Sequence, residues 1–223
     1  MDWFRQVNSY CERLDASYWA EPVNALTNLA FLLAALWCLR RPELQGDAPA
    51  RLLVGALALI GVGSWLFHTH AQVWALRADV IPIQVFILLY LGFATCRFFA
   101  RPWWTGALAA GLFLALAPLV ARALQAMLGP LNGSVGYLPV PIVIAAYALA
   151  LRARAPATAR GLAAGAGILL VSLLFRSLDR AVCPAFPLGT HFLWHLLNAL
   201  MLGWMILVFA RAKPALEAGP RAV

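Results

Sequence analysis

The chain has 223 residues, of which 63% are hydrophobic and only 12% are charged, and its formal net charge is +8. Soluble domains carry about 25% charged residues, so this composition excludes a water-soluble globule. The basic residues lie at the ends of apolar runs and form no single patch. This distribution argues against a nucleic-acid partner and indicates membrane topology instead.

Apolar runs of about 20 residues alternate with short polar connectors along the chain. A helix of that length crosses about 30 Å of hydrocarbon, and continuous Leu and Ala runs favour helices over a barrel. The sequence predicts an all-α, polytopic integral membrane protein in one domain, 1–223, with an N-terminal segment 1–21 and a tail 213–223. Seven helices are expected at about 22–41, 50–70, 77–99, 104–125, 135–153, 159–178 and 188–212.

Lys and Arg residues are unevenly divided between the two predicted sides of the membrane. Eleven lie in the connectors after helices one, three and five and in the tail, which contains Lys213 and Arg221, whereas six lie on the other side. The positive-inside rule then places the N-terminus outside and the C-terminus in the cytoplasm. Compact loops and many Ala, Leu and Arg residues favour a bacterial inner membrane.

The four cysteines are divided by this topology. Cys38 and Cys96 fall near cytoplasmic helix ends, whereas Cys11 and Cys183 fall outside. Only the outer pair would meet an oxidising compartment. We therefore predict a Cys11–Cys183 disulfide, with two free thiols as the alternative, since sequence gives no distances.

Polar groups inside membrane spans are costly, so each is a candidate for function. Ser64 and His68 are four residues apart and share one face at the end of the second helix, and His191 and His195 share a face at the start of the seventh. Asp79 lies at the start of the third helix. All three helix ends lie at the outer membrane boundary in the predicted topology, so we expect these five side chains to form one site.

Three neutral imidazoles would leave the fourth tetrahedral position of a zinc ion open, as a catalytic site requires. Asp79 would then act as a base or orienting group, and Ser64 as a donor to a developing oxyanion. Two other interpretations stay open. His68 and Asp79 could form an interhelical ion pair in a purely structural arrangement. A Ser-His-Asp triad would place its serine within a helix rather than on a strained turn.

The N-terminal segment contains a second group of acidic residues, Glu12, Asp15 and Glu21. Oxygen ligands clustered in this way can hold calcium. The alternative is a solvated segment that caps the first helix.

Several short motifs occur together in this chain. They are Tyr10-Cys11-Glu12, Ala20-Glu21-Pro22-Val23-Asn24, Thr27-Asn28-Leu29, Gly63-Ser64-Trp65-Leu66-Phe67-His68, Asp79 with Pro82, and His191-Phe192-Leu193-Trp194-His195. At these residues the chain resembles the alkaline ceramidase family. That family is part of a superfamily of seven-span membrane hydrolases that includes the adiponectin and progestin receptor-like proteins.

The resemblance implies a reaction and a set of roles. Ceramide would be the lipid substrate, hydrolysed at its amide to sphingosine and a fatty acid. His68, His191 and His195 would bind zinc, Asp79 would handle the proton, and Ser64 would stabilise the oxyanion. The family also bridges its N-terminal cysteine to the connector before the last helix, which fits Cys11 and Cys183.

The resemblance to the family is weaker at the residues that bind calcium in its members. Glu12 and Glu21 match two family ligands, but Ser9 and Leu14 stand where relatives carry Asp and Asn, and Asp15 would have to compensate.

Two other functions fit the same residues. A zinc hydrolase of this kind could cleave a lipid ester or a phospholipid acyl chain. The second is a non-catalytic seven-helix receptor or scaffold with structural zinc, in which four protein ligands should coordinate the metal.

Overall fold

A computed structural model describes residues 2–212. The helices are α1 (Pro22–Thr27), α2 (Leu29–Leu39), α3 (Ala48–His70), α4 (Val73–Phe99), α5 (Trp103–Leu128), α6 (Pro139–Leu151), α7 (Pro156–Val182) and α8 (His191–Arg211). Short 3-10 segments occupy Pro42–Leu44 and Leu131–Tyr137. Within 2–212 no strand forms, and the only bridge of β type joins Gln6 to Gln72.

Seven helical units are long and apolar enough to cross a membrane, with α1 and α2 together forming the first. The predicted all-α, seven-span fold class is therefore confirmed. The orientation of the termini stays a prediction, and Lys213 and Arg221, on which it partly depends, lie outside the described residues.

The first span is interrupted at Asn28, between α1 and α2. The Thr27 hydroxyl donates to the carbonyl of Val23 at 2.8 Å, and the Asn28 amide donates to the carbonyl of Asn24 at 2.9 Å. Side chains that bond to the carbonyl four residues earlier compete with the helix ladder and bend helices. The first span therefore consists of two short helices rather than one continuous helix.

The helices that carry the histidines are the most enclosed. In the apolar 18-residue stretch of each helix, more than half of the residues of α3 and of α8 are buried, compared with only 6% of those of α5. The two helices also share the central apolar core, which includes Leu53, Leu57, Met205 and Ile206. The candidate ligands are therefore attached to the best-packed part of the molecule.

The end of the bundle away from the histidines is fixed by ion pairs. Arg97 on α4 binds Asp47, which itself caps α3 by accepting from the amide of Ala50 at 3.1 Å. Arg211 at the end of α8 binds Glu43 at 3.0 Å. These contacts join the helix ends on the side that the sequence predicts to be cytoplasmic.

Candidate metal centre and active site

The structure brings His68, His191 and His195 together between the last turn of α3 and the first turn of α8. Each side chain is about 1% exposed, and one ring nitrogen of each lies within 4.8 Å of those of the other two. His70, which points off this face, is half-buried beside Tyr18 and Trp74 instead.

One nitrogen of each of the three rings has no hydrogen-bond partner among the described residues. These atoms are Nε2 of His68, Nδ1 of His191 and Nε2 of His195. Buried polar atoms are normally paired, because an unpaired one costs free energy. Three convergent imidazole nitrogens are a donor set that suits zinc, so the residues present fit a metal ion.

The remaining nitrogens of two rings are held by α1 and by the residue before it. Nδ1 of His68 donates to Oε2 of Glu21 at 2.6 Å. Nδ1 of His195 lies 2.9 Å from the Thr27 hydroxyl. Because this hydroxyl donates its own proton to backbone carbonyls, it accepts the hydrogen bond from Nδ1 of His195. Such partners fix the tautomer and leave the other nitrogen free for a metal.

The His191 ring is held by stacking. The Tyr10 ring lies over it with centroids 3.5 Å apart and planes 17° apart. The Tyr10 hydroxyl accepts from Arg176 at 3.3 Å. Burial raises the pKa of Tyr10, so it stays protonated at neutral pH.

The backbone amide of His191 is also fixed. Asp179 on α7 is fully buried, and its carboxylate accepts from the amides of Cys11, Thr190 and His191 at 2.8 to 2.9 Å. A carboxylate at the first turn of a helix is favoured by the helix dipole. Asp179 therefore fixes where α8 begins and where its first candidate ligand, His191, lies.

A disulfide joins Cys11 to Cys183, with Cα atoms 5.5 Å apart. It ties the N-terminal segment to the end of α7, as the sequence predicts. Cys38 and Cys96 are free.

The three acidic residues predicted to bind calcium have separate partners. Glu12 accepts from the amides of Val23 and Asn24 at 2.7 and 2.9 Å, and so caps α1. Asp15 is exposed and accepts from the amide of Ser17 at 2.8 Å. Glu21 binds Arg13 and His68. The structure gives no support to calcium, because a guanidinium already lies among these oxygens.

The environment shifts the pKa of each of these carboxyls. Burial opposes ionisation of Glu21, but its contacts with His68 and Arg13 hold its pKa below the usual value. Burial raises the pKa of Glu12, although two backbone amides counter part of the effect. The hydrogen bonds from Ser17 lower the pKa of Asp15. Glu21 is therefore an anion, as its role toward His68 requires.

Asp79 and Ser64 do not join the three-histidine group but lie next to it. The Ser64 hydroxyl lies beside the Asp79 carboxyl, and both side chains line the same cavity. The alternative His68–Asp79 ion pair is not seen within 2–212, because His68 binds Glu21 instead.

That cavity is lined mainly by residues of α4, α6, α7 and α8, with Ile60 and Ser64 contributed by α3. Its lining is mostly apolar, and its polar residues are Ser64, Asp79, Asn198 and three tyrosines, Tyr90, Tyr137 and Tyr147. Asp79 and Ala94 both line it on α4, and fifteen residues of helix span about 22 Å. The cavity is therefore long and mostly apolar, and the Ser64 hydroxyl and Asp79 carboxyl form its polar end, next to the histidines.

The family comparison agrees with the motifs. A family model described as Ceramidase matches residues 8–220, nearly the whole chain. No curated protein is significantly similar to it in sequence.

Proposed function

The chain belongs to the ceramidase family, and on that premise we propose that it is a zinc-dependent membrane hydrolase that cleaves the amide bond of ceramide-like lipids. One observation carries the proposal. Three buried imidazole nitrogens, none of which has a hydrogen-bond partner within 2–212, converge beside the polar end of a long, mostly apolar cavity. The membrane would be a bacterial inner membrane, with the site at its outer boundary.

A zinc ion held by His68, His191 and His195 would supply a water of lowered pKa and a Lewis acid for the amide carbonyl. Asp79 takes a proton from the attacking water and passes it to the leaving nitrogen as the C–N bond breaks. Ser64 donates a hydrogen bond to the carbonyl oxygen as its negative charge develops. The products are a free amine and a fatty acid.

The cavity explains why the substrate would be a lipid. Its walls, which include Phe86, Ile144 and Leu169, are mostly apolar and would keep water away from an alkyl chain. Trp194 and Tyr137 flank the polar end, where the amide would lie. An alkyl chain inserted along the bundle would thus bring its head group level with the histidines.

The test is metal analysis of the detergent-purified protein, together with incubation on ceramides and phospholipids. We expect about one zinc per chain and release of fatty acid from ceramide that a chelator abolishes and zinc restores. Release from phospholipid alone would favour the ester-cleaving alternative.

Substitution of Asp79 separates catalysis from metal binding. Asp79→Asn should lower kcat by about 10²- to 10⁴-fold, because the proton carrier is lost, and should leave the zinc content unchanged. Asp15→Asn removes an exposed carboxylate and is the matched control. An active Asp79→Asn variant would exclude the proton-transfer role.

The non-catalytic alternative requires a closed site. Structural zinc has four protein ligands, whereas the group found within 2–212 has three. This count supports an open coordination position and therefore an enzyme.

A further inference from the structure

Arg13 is a buried cation at the outer end of the bundle, only 4% exposed. Its Nε donates to Oε1 of Glu21 at 2.5 Å. The two terminal nitrogens donate to backbone carbonyls, Nη1 to Asp15 and Ser17 at 3.1 and 3.3 Å, and Nη2 to His68 at 2.9 Å. All three guanidinium nitrogens are thus bonded to oxygen.

Two of these contacts lead to the same candidate ligand. Nη2 holds the backbone carbonyl of His68 in the last turn of α3. Nε holds Glu21, whose other carboxylate oxygen accepts from Nδ1 of the His68 ring. The guanidinium therefore fixes both the main chain and, through Glu21, the imidazole of one residue.

A carboxylate as buried as Glu21 needs a positive partner, because an uncompensated buried charge is strongly destabilising. Arg13 is the only Lys or Arg in an ion pair with Glu21 among residues 2–212. Lysine could supply the positive charge, but it lacks the planar guanidinium, which presents several hydrogen-bond donors in fixed directions.

We propose that Arg13 is a positioning residue of the metal centre, which holds His68 by its carbonyl and by its ring. This inference rests on the zinc site proposed above. It assigns the N-terminal segment a role in metal affinity, beyond that of a tether. It also implies that this part of the site needs no calcium.

The test measures zinc affinity of the full-length, detergent-purified chain by competition with a chromogenic chelator, and the visible spectrum of the cobalt form. Loss of a group that orients a metal ligand typically weakens affinity 10- to 100-fold. We expect Arg13→Gln to weaken zinc binding by about 10-fold and to change the cobalt spectrum. Arg5→Gln makes the same charge change at an exposed arginine of the same segment and should do neither.

A thermal melt of each metal-free variant separates positioning from folding. If Arg13→Gln does not fold, Arg13→Lys provides the test, because it keeps the charge and loses the fork. We then expect a folded protein with weakened zinc binding.

A folded Arg13 variant that binds zinc as tightly as Arg5→Gln, with an unchanged cobalt spectrum, would overturn the inference. A wild-type chain that binds no zinc would overturn it together with the proposed function. The two failures are therefore distinguishable.

Discussion

At the scale of single residues, the site depends on the groups that hold the imidazoles. Tyr10 illustrates this, because its ring covers His191 at 3.5 Å while its hydroxyl binds Arg176 on another helix. The ring and the hydroxyl thus have different functions, and substitution can separate them.

Tyr10→Leu should weaken zinc binding by about 3- to 10-fold, because an aromatic contact contributes about 0.5–1.5 kcal/mol beyond its buried area. Tyr10→Phe keeps the ring and should bind zinc almost as wild type does. Chelator competition measures both. Equal weakening in the two variants would show that the hydroxyl, and not the stacking, positions His191.

The candidate ligands were predictable from sequence, whereas the residues that hold them were not. Helical spacing and membrane depth were enough to place His68, His191 and His195 together. Glu21 was instead assigned to calcium, because its partners Arg13 and His68 are brought to it only by the fold.

Asp179 was missed for a simpler reason. The predicted sixth span, 159–178, ends one residue before this carboxylate, so the intramembrane polar residues considered from sequence do not include it. In the structure three backbone amides bind it and α7 continues to Val182. A buried carboxylate is tolerated when it is hydrogen-bonded in this way, but such partners cannot be read from local sequence.

At the scale of the helices, the close approach of α3 and α4 places Ser64 beside Asp79. Gly63 makes it possible, because a Cβ at this position would collide with the backbone carbonyl of Ala78. Small residues let helix backbones approach in membrane proteins. The contact between these two candidate catalytic residues therefore depends on a glycine that has no chemical role.

Gly63→Ala should lower the melting temperature and kcat together, since overpacking typically costs about 1–3 kcal/mol and would move Ser64 from Asp79. Gly55→Ala on the same helix meets no atom within 4 Å and is the matched control. We expect that variant to melt at or above the wild-type temperature, because alanine is the better helix former. A Gly63→Ala variant with unchanged kcat would show that this contact does not set the active-site geometry.

The hydrophobic pattern predicts the number of spans but not the residues at which the helices begin and end. The lengths of the apolar runs predict seven spans, but the third span, α4, begins at Val73 rather than near residue 77. The amides of Val73 and Trp74 donate to the carbonyls of Arg5 and Trp3, which anchor this turn to the N-terminal segment. Contacts between distant segments of this kind set helix ends that hydrophobicity leaves open.

At the scale of the whole molecule, the Cys11–Cys183 disulfide closes most of the chain into one loop, with a sequence separation of 172 residues. It also fixes the segment that contains Tyr10 and Arg13. The bridge should therefore affect both stability and the metal site.

Replacing Cys11 and Cys183 together by serine should destabilise the protein by about 2–5 kcal/mol, because the unfolded chain gains freedom. The melting temperature in detergent measures the loss. Cys96→Ser, at a free and half-exposed cysteine, is the control. An unchanged melting temperature in the double variant would show that the other contacts hold the segment without the bridge.

The position of the ligands along the chain has a consequence for biosynthesis. His68 lies on α3, whereas His191 and His195 begin α8, the last described helix. A nascent chain that has not yet been translated past α7 contains only one of the three proposed ligands and should not retain the ion. If the proposed function holds, metal loading follows insertion of every earlier span, and a truncated product would reach the bilayer without catalytic capacity.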